Sequence, residues 1–293
     1  MTVFSHESFS FASEAPEAAP HLLVTGAVHG NEICGPIAIR KMIGELQSGA
    51  LTLKKGRVTF IPVCNPQAYE KNVRFIDSNL NRSLFPNDTP ENYEESLKSS
   101  LCGYLAQADV LLDLHSYHVG GKPFIFVGVN SGEELDFAKS LGAENIVYGW
   151  QEAYGASSEE ETRKATGTTE YARLYGAYGV TMECGGHVEA HSPLVAEEAI
   201  RRALTHLEMI EGEAEDTKPR QDVTIIKMQS RFYKEREGAF TKRWENFERV
   251  PAGTVISRYD DGEELSISEE MVIVLPRHVL SVGEEWFYLG RPE

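Results

Sequence analysis

Positive charge is scarce in this chain. Its 293 residues hold 28 Lys+Arg against 45 Asp+Glu, a formal charge of −17. Nucleic-acid phosphates call for clustered Lys and Arg, and anionic lipid surfaces for a polybasic face, so neither is expected as a partner. Long apolar runs are missing as well: no stretch approaches the roughly 20 residues that cross a bilayer. The opening MTVFSHE lacks both the basic and the apolar region of a secretory signal. Cysteine is sparse. Cys34, Cys64, Cys102 and Cys184 are widely spaced without a CxxC pair, and read as small buried residues in a reducing compartment. The cytoplasm is the expected location.

What remains is an ordinary globular composition, 41% hydrophobic and 25% charged. The length suits one large domain, or a medium one with an appendage, and needs no disulfide staples. Between residue 21 and about residue 212, apolar strand-like runs (21–26, 58–63, 109–114, 124–129, 180–182) alternate with helix-like segments (33–46, 91–108, 193–210). Alternation with strands apolar on both faces predicts an α/β sheet covered by helices. Residues 211–220 are polar, charged and carry a proline, as a linker would. Beyond them, short β-like runs (223–227, 254–257, 271–275, 286–289) separated by turns predict a small all-β appendage. The expected division is a catalytic domain over 1–212 and a C-terminal β domain over 213–293.

Chemistry-bearing residues gather where predicted strands end. The first strand runs into GAVHGNE, where His29 and Glu32 are three apart and can converge on one metal. About one such His-acid pair is expected by chance in a chain with nine histidines and 45 acids, so the spacing alone does not separate a ligand pair from a turn with a capping acid. A second strand ends in DLHS, placing His115 at the same kind of edge, where open α/β sheets carry their functional groups. Two histidines and a glutamate leave a tetrahedral Zn²⁺ one position for water, the arrangement of a catalytic site. Asp113, two residues before His115, would orient its ring. A third strand ends in TMECGG; Glu183 there is either a base for that water or a solvated loop acid. Between the first two motifs lies a long loop over 65–82. Its Arg74 and Arg82, the latter preceded by Asn81, can hold a substrate carboxylate and polarise a carbonyl, or form surface ion pairs.

Taken in order, GxxHGNE at His29, the NP…R…D…LNR loop from Arg74 to Arg82, DLHS at His115 and ECGG at Glu183 resemble the succinylglutamate desuccinylase/aspartoacylase family of the zinc carboxypeptidase clan. The set covers about 160 residues of the core. The tail, with VPAGTV from Val250 and DDGEE from Asp260, is similar to the C-terminal β domain of desuccinylases. The resemblance implies a mixed sheet flanked by helices, like that of zinc carboxypeptidases, with a small C-terminal all-β domain. It implies one Zn²⁺ per chain on His29, Glu32 and His115, with Glu183 as general base. By the same resemblance Arg74 polarises the scissile carbonyl, Asn81 and Arg82 grip a substrate carboxylate, and Asp77 supports them in substrate binding. His118, His187 and His191 are read as structural or supporting.

The expected activity is therefore hydrolysis of the amide bond in a small N-acyl amino acid. A carboxypeptidase-like peptide hydrolase is the first rival; the appended β domain, which narrows the site in the resembling family, tells against it. An inactive binding protein of the same fold is the second, and the competent residues at all four ligand and base positions tell against that. The sequence leaves the acyl group, the amino acid and any homo-oligomeric state open.

Overall fold

A computed structural model describes residues 4–118, 120–153, 158–212, 220 and 222–293. The chain begins with β1 (Phe9–Ala12), β2 (His21–Gly26), α1 (Cys34–Ser48), β3 (Arg57–Ile61), α2 (Pro66–Lys71) and α3 (Tyr93–Leu105). It continues through β4 (Val110–Tyr117), β5 (Phe124–Phe126), α4 (Gly132–Ser140), β6 (Asn145–Tyr148), α5 (Trp150–Ala153), α6 (Glu159–Ala165) and α7 (Thr168–Arg173). Then come β7 (Tyr178–Gly186), α8 (Ser192–His206), β8 (Thr224–Tyr233), β9 (Gly238–Phe240) and β10 (Arg249–Val250). The last strands are β11 (Val255–Tyr259), β12 (Glu264–Ser266), β13 (Met271–Val274) and β14 (Glu285–Pro292).

Eleven strands form one mixed sheet in the order β1-β3-β2-β4-β7-β5-β6-β8-β14-β13-β10. Its centre, β3-β2-β4-β7, is parallel, which requires cover on both faces. The alternation of side chains along each strand supplies two cores. Leu22, Val24, Leu112 and Leu114 face α1, α4 and α8, whereas Leu23, Leu111 and Ile61 face α3 and α7. Every residue of β4 is buried, which is why its run is apolar throughout except where it carries chemistry.

The mixed sheet flanked by helices agrees with the sequence reading. Most of the expected linker, residues 213–219 and 221, lies outside the described residues. On its far side β8 pairs in parallel with β6, so β8, β14, β13 and β10 extend the main sheet. Over them sits a separate three-stranded sheet, β12-β11-β9, with a further apolar cluster built on Trp244, Ile256, Trp286 and Phe287. Among the described residues, no helix is long and apolar enough to cross a membrane.

One expectation is corrected. The stretch 65–82 is not a continuous loop, because α2 occupies its first third: Asn65 Oδ1 accepts the Ala68 N–H (3.4 Å) and Pro66 opens the helix. An Asn cap followed by proline is itself a helix-start signal. This helix sits directly on the β2–α1 corner. The Cys64 and Asn65 N–H groups donate to the carbonyls of Gly26 and Ala27, at 2.9 and 3.0 Å. A Cβ built on Gly30 would lie 2.1 Å from the Ala68 carbonyl carbon and 2.3 Å from Tyr69 N, so only glycine allows the approach. Gly30→Ala should therefore cost about 1–3 kcal/mol of stability, the usual range for overpacking against atoms that cannot yield. Urea denaturation checks this; wild-type stability in the variant would refute the close backbone contact.

Candidate metal centre and substrate cavity

Three adjacent strands deliver the candidate residues to one edge of the sheet. The corner after β2 carries His29 and Glu32 towards α1, the last half of β4 carries Asp113, His115 and Ser116, and the last half of β7 carries Glu183. Register places Gly26 beside Leu114 and His115 beside Glu183, so the motifs meet although they lie up to about 150 residues apart in sequence.

His29, Glu32 and His115 offer one ligand atom each, all within 4.8 Å of one another, and all three residues are buried. His29 Nδ1 lies 2.9 Å from Glu32 Oε1, and His115 Nδ1 lies 2.8 Å from Glu32 Oε2. The far nitrogens are engaged elsewhere: His29 Nε2 with Asn79 Oδ1 (3.0 Å) and His115 Nε2 with Asp113 Oδ2 (2.9 Å). Asn79 Oδ1 also accepts the Asn81 N–H (2.9 Å), which marks it as the acceptor for His29 Nε2–H. The Nδ1 of His29 then presents its lone pair, and that buried atom has no hydrogen-bonding partner. Imidazoles oriented by outer acceptors, with a carboxylate between them, are the donor set of a divalent transition-metal site. Asp113 is the orienting acid expected from the sequence; Thr25 Oγ1 (2.6 Å) and Thr168 Oγ1 (2.5 Å) donate to it in turn.

Burial opposes charge on each of these groups, and their neighbours decide the outcome. Facing His29 and His115, the Glu32 carboxyl is held well below the usual range despite its burial. Burial is likewise outweighed at His115, which Asp113 and Glu32 raise well above the ordinary imidazole value. His29 is lowered to about 4 by burial and then by the Arg74 guanidinium, so it stays neutral. Glu183 moves the other way: burial, reinforced by the Glu32 carboxylate, pushes it up to about 8. Its Oε2 is buried with no hydrogen-bonding partner, so the solvated loop acid is excluded.

Most of the expected residues line one cavity of about 600 Å³: His29, Glu32, His115, Glu183, Arg74, Asn81 and Arg82. Arg74 donates to Glu32 Oε1 (3.1 Å), and Arg82 donates to the Asn81 carbonyl (2.6 Å) while its guanidinium lies over Trp150. Asn81 Oδ1 accepts the Thr168 N–H (2.8 Å) at the start of α7. Asp77 is not part of the lining; it accepts the Tyr93 N–H (3.0 Å) at the start of α3 and so ties the loop to that helix. His118 and His187 line the cavity edge-to-face, with His187 Nδ1 2.8 Å from Ser116 Oγ, whereas His191 lies outside it.

Two contributions escaped sequence reasoning. Tyr233 and Tyr288 from C-terminal strands, and Leu275, Arg277 and Glu284 from the β13–β14 connection, reach the cavity where no motif marks them. Glu94, fully buried in the first turn of α3, accepts the N–H groups of Ile76 (2.7 Å), Asp77 (3.0 Å) and Ser78 (3.1 Å) and the Asn65 amide (3.1 Å). In sequence it resembles any acid placed after a helix cap. Its four donors shape the segment that carries Arg74 and Arg82.

Known proteins share this architecture. The sequence model of the succinylglutamate desuccinylase/aspartoacylase catalytic domain matches residues 18–210. Succinylglutamate desuccinylase of Vibrio cholerae is 25% identical over 287 residues, covering 93% of this chain and 80% of that protein. N-alpha-acetyl-L-2,4-diaminobutyric acid deacetylase of Halomonas elongata is 28% identical over 208 residues, which is 66% of this chain; the match spans only 56% of the deacetylase. Among solved structures, a succinylglutamate desuccinylase/aspartoacylase from Rhodobacter sphaeroides superposes with a TM-score of 0.77 at 19% identity, covering 98% of this chain and 89% of that one. The product-bound ectoine utilization protein EutE of Ruegeria pomeroyi gives 0.74 at 21% identity, covering 97% and 88%. At such identities the structures speak for the fold.

The Glu94 arrangement has a pH signature. Burial opposes its charge, but its backbone and amide donors hold the carboxyl below the ordinary value. A carboxyl depressed in the folded state contributes stability that is fully present above its unfolded pKa of about 4.3 and is lost as pH falls through the folded value. Glu94→Gln should lose about 2 kcal/mol at pH 7, the scale of hydrogen bonds to a charged acceptor. The gap to wild type should narrow below about pH 4.3. Urea titrations from neutral to acid pH test it; a gap constant across that range would show that the carboxylate charge is not what holds the segment.

Proposed function

The chain belongs to the succinylglutamate desuccinylase/aspartoacylase family, and from that premise we propose that it is a zinc-dependent hydrolase of the amide bond in a small N-acyl amino acid. The observation that carries this is the shared cavity of His29, Glu32, His115 and Glu183: three converging donors beside a buried, partnerless carboxylate oxygen. One Zn²⁺ per chain, held by His29 Nδ1, Glu32 and His115 Nδ1, would supply Lewis acidity toward water and the acyl carbonyl.

Glu183 Oε2 takes the proton of the attacking water and returns it to the leaving nitrogen, which departs as the free amine. Its position in register with His115 supports that role. Arg74, already at the cavity edge against Glu32, is assigned to the carbonyl oxygen as negative charge grows there. Arg82 and Asn81 are assigned to the carboxylate of the amino acid, with Asp77 bracing their loop through α3. We assign residues 1–212 to the catalytic domain and 213–293 to a C-terminal β domain whose side chains narrow the cavity mouth. That narrowing favours a small N-acyl amino acid over a peptide chain.

Metal analysis of the purified protein should find about one Zn²⁺ per chain, and His115→Ala should lose it. Undiminished zinc in that variant would remove His115 from the ligand set. Glu183→Gln keeps its shape and cannot take a proton, so zinc should remain while turnover on an N-acyl amino acid panel falls by about 10²-fold or more. A near-normal kcat would place the base elsewhere, and faster turnover of dipeptides than of N-acyl amino acids would favour a peptide hydrolase. The two arginines should separate kinetically. Arg82→Ala should chiefly raise KM, because it removes binding present in both ground and transition states. Arg74→Ala should chiefly lower kcat, because its contribution grows with charge on the carbonyl oxygen. The reverse pattern would exchange their roles.

A further inference from the structure

Resting on the deacylase reading, we infer that the amino acid this cavity accepts carries a single carboxylate, with an uncharged or basic side chain, and that N-acyl aspartate and N-acyl glutamate are disfavoured. A second carboxylate brought in from water loses its hydration and needs a cation not already matched inside the protein. Among the described residues, four guanidinium groups line the cavity: Arg74, Arg82, Arg173 and Arg277. Arg74 and Arg82 serve the carbonyl and the first carboxylate.

Arg173 is the group that would otherwise read an acidic side chain, and it is already matched. Its Nε and one terminal nitrogen donate to the two oxygens of Glu134, at 2.9 and 3.0 Å, in the forked geometry of a bidentate pair. The same terminal nitrogen donates to the Gly179 carbonyl (2.8 Å), and the other donates to Glu170 Oε1 (3.3 Å). Four of its five N–H groups are therefore directed at protein acceptors. Glu134 is 4% exposed and also accepts the N–H groups of Gly128 and Val129. Swinging Arg173 toward a ligand would strand that carboxylate in the interior, a cost that a surface ion pair would not carry.

Arg277 also has an acidic partner, in a more exposed pair whose side chains are 31% and 42% exposed. It donates to Glu284 Oε1 (3.1 Å) and to the Glu285 carbonyl (3.5 Å), while the other Glu284 oxygen accepts the Ser281 N–H (2.6 Å). Beyond the two arginines assigned to the reaction, the lining contains Arg173 and Arg277 against Glu170, Glu284 and Glu285, with Glu134 directly behind. Among the described residues, the lining there offers no surplus positive charge. The long-range field of a chain at −17 works in the same direction. Phe126, Trp150 and Tyr288 supply aromatic surface there, which suits an alkyl stem or an ammonium group.

Isosteric substrates isolate the charge. N-acetyl-L-glutamate against N-acetyl-L-glutamine, and N-acetyl-L-aspartate against N-acetyl-L-asparagine, differ by one ionised group at constant shape, and Nα-acetyl-L-ornithine supplies the basic case. We expect each acid to fall at least about tenfold below its amide, in kcat/KM for the zinc-loaded wild type and in Kd by calorimetry on the zinc-loaded Glu183→Gln variant, as a carboxylate left without a cation requires. Ornithine should group with the amides. An acid equal to or better than its amide overturns the inference. Glu134→Gln removes the charge that holds Arg173, so the acid-to-amide ratio should rise at least about fivefold in that variant. An unchanged ratio in a folded variant, verified by circular dichroism, overturns the role given to Arg173. Should the variant not fold, the wild-type comparison decides alone. If none of the five compounds is hydrolysed, the deacylase reading fails while the order of Kd values still decides this one; absence of binding by all five overturns both.

Discussion

A chain of buried ionisable groups running from Asp113 through His115 and Glu32 to a neutral His29 is the constraint the rest of the molecule serves, because each charged member is tolerable in the interior only through its neighbour. Asp113 is fully buried, and its carboxylate is held below the usual range against that burial by His115, Thr168 and Thr25. Glu32 bridges the two histidines, accepts the Ser116 N–H (3.1 Å) and meets Arg74. Removing one member would leave another charged and unpaired in a medium that solvates it poorly. The parallel centre of the sheet exists in a form that makes this chain possible: β2, β4 and β7 are neighbours, and their ends lie at one level.

That constraint reaches the loop through a second buried acid. Asn79 holds His29 from outside, and Asn79 belongs to the segment that Glu94 shapes with backbone hydrogen bonds. Helix α2, wedged against Gly30 and the β2–α1 corner, sets where that segment begins. Ala27 at the same corner has a φ of 46°, a left-handed conformation for a non-glycine residue, and is fully buried. Strain of this kind persists where surrounding contacts over-determine the backbone, as the Asn65 N–H on the Ala27 carbonyl does here. The His29/Glu32/His115 cluster and the arginines of the loop are thus parts of one packed unit.

The C-terminal strands add a different kind of control. They extend the main sheet through β8 and bring Arg277, Glu284 and Tyr288 to the cavity, remote from the metal donors in sequence. Ion pairs from both parts of the chain, Arg173–Glu134 from the helices and Arg277–Glu284 from the C-terminal part, limit the charge that the cavity leaves for a ligand.

The sequence by itself determined the elements and the reactive groups, since both are written locally. Apolar runs identify β2, β4 and β7 as strands, and GAVHGNE, DLHS and ECGG lie at their respective ends. Metal donors need a residue type at a strand end, and that is visible one strand at a time. The capped helix at Asn65-Pro66 was legible too, through its cap and proline, although the long-loop reading passed over it. Only the tertiary structure decided what surrounds those groups. Glu94 is indistinguishable in sequence from a solvent-facing first-turn acid, and its function comes from the distant backbone that folds onto it. Arg173 reads as one cation among 28 Lys+Arg until Glu134, 39 residues away, is seen to match it. Whether a charge is available or neutralised depends on what lies within about 4 Å in space, and contacts between residues far apart in the chain leave no local signature.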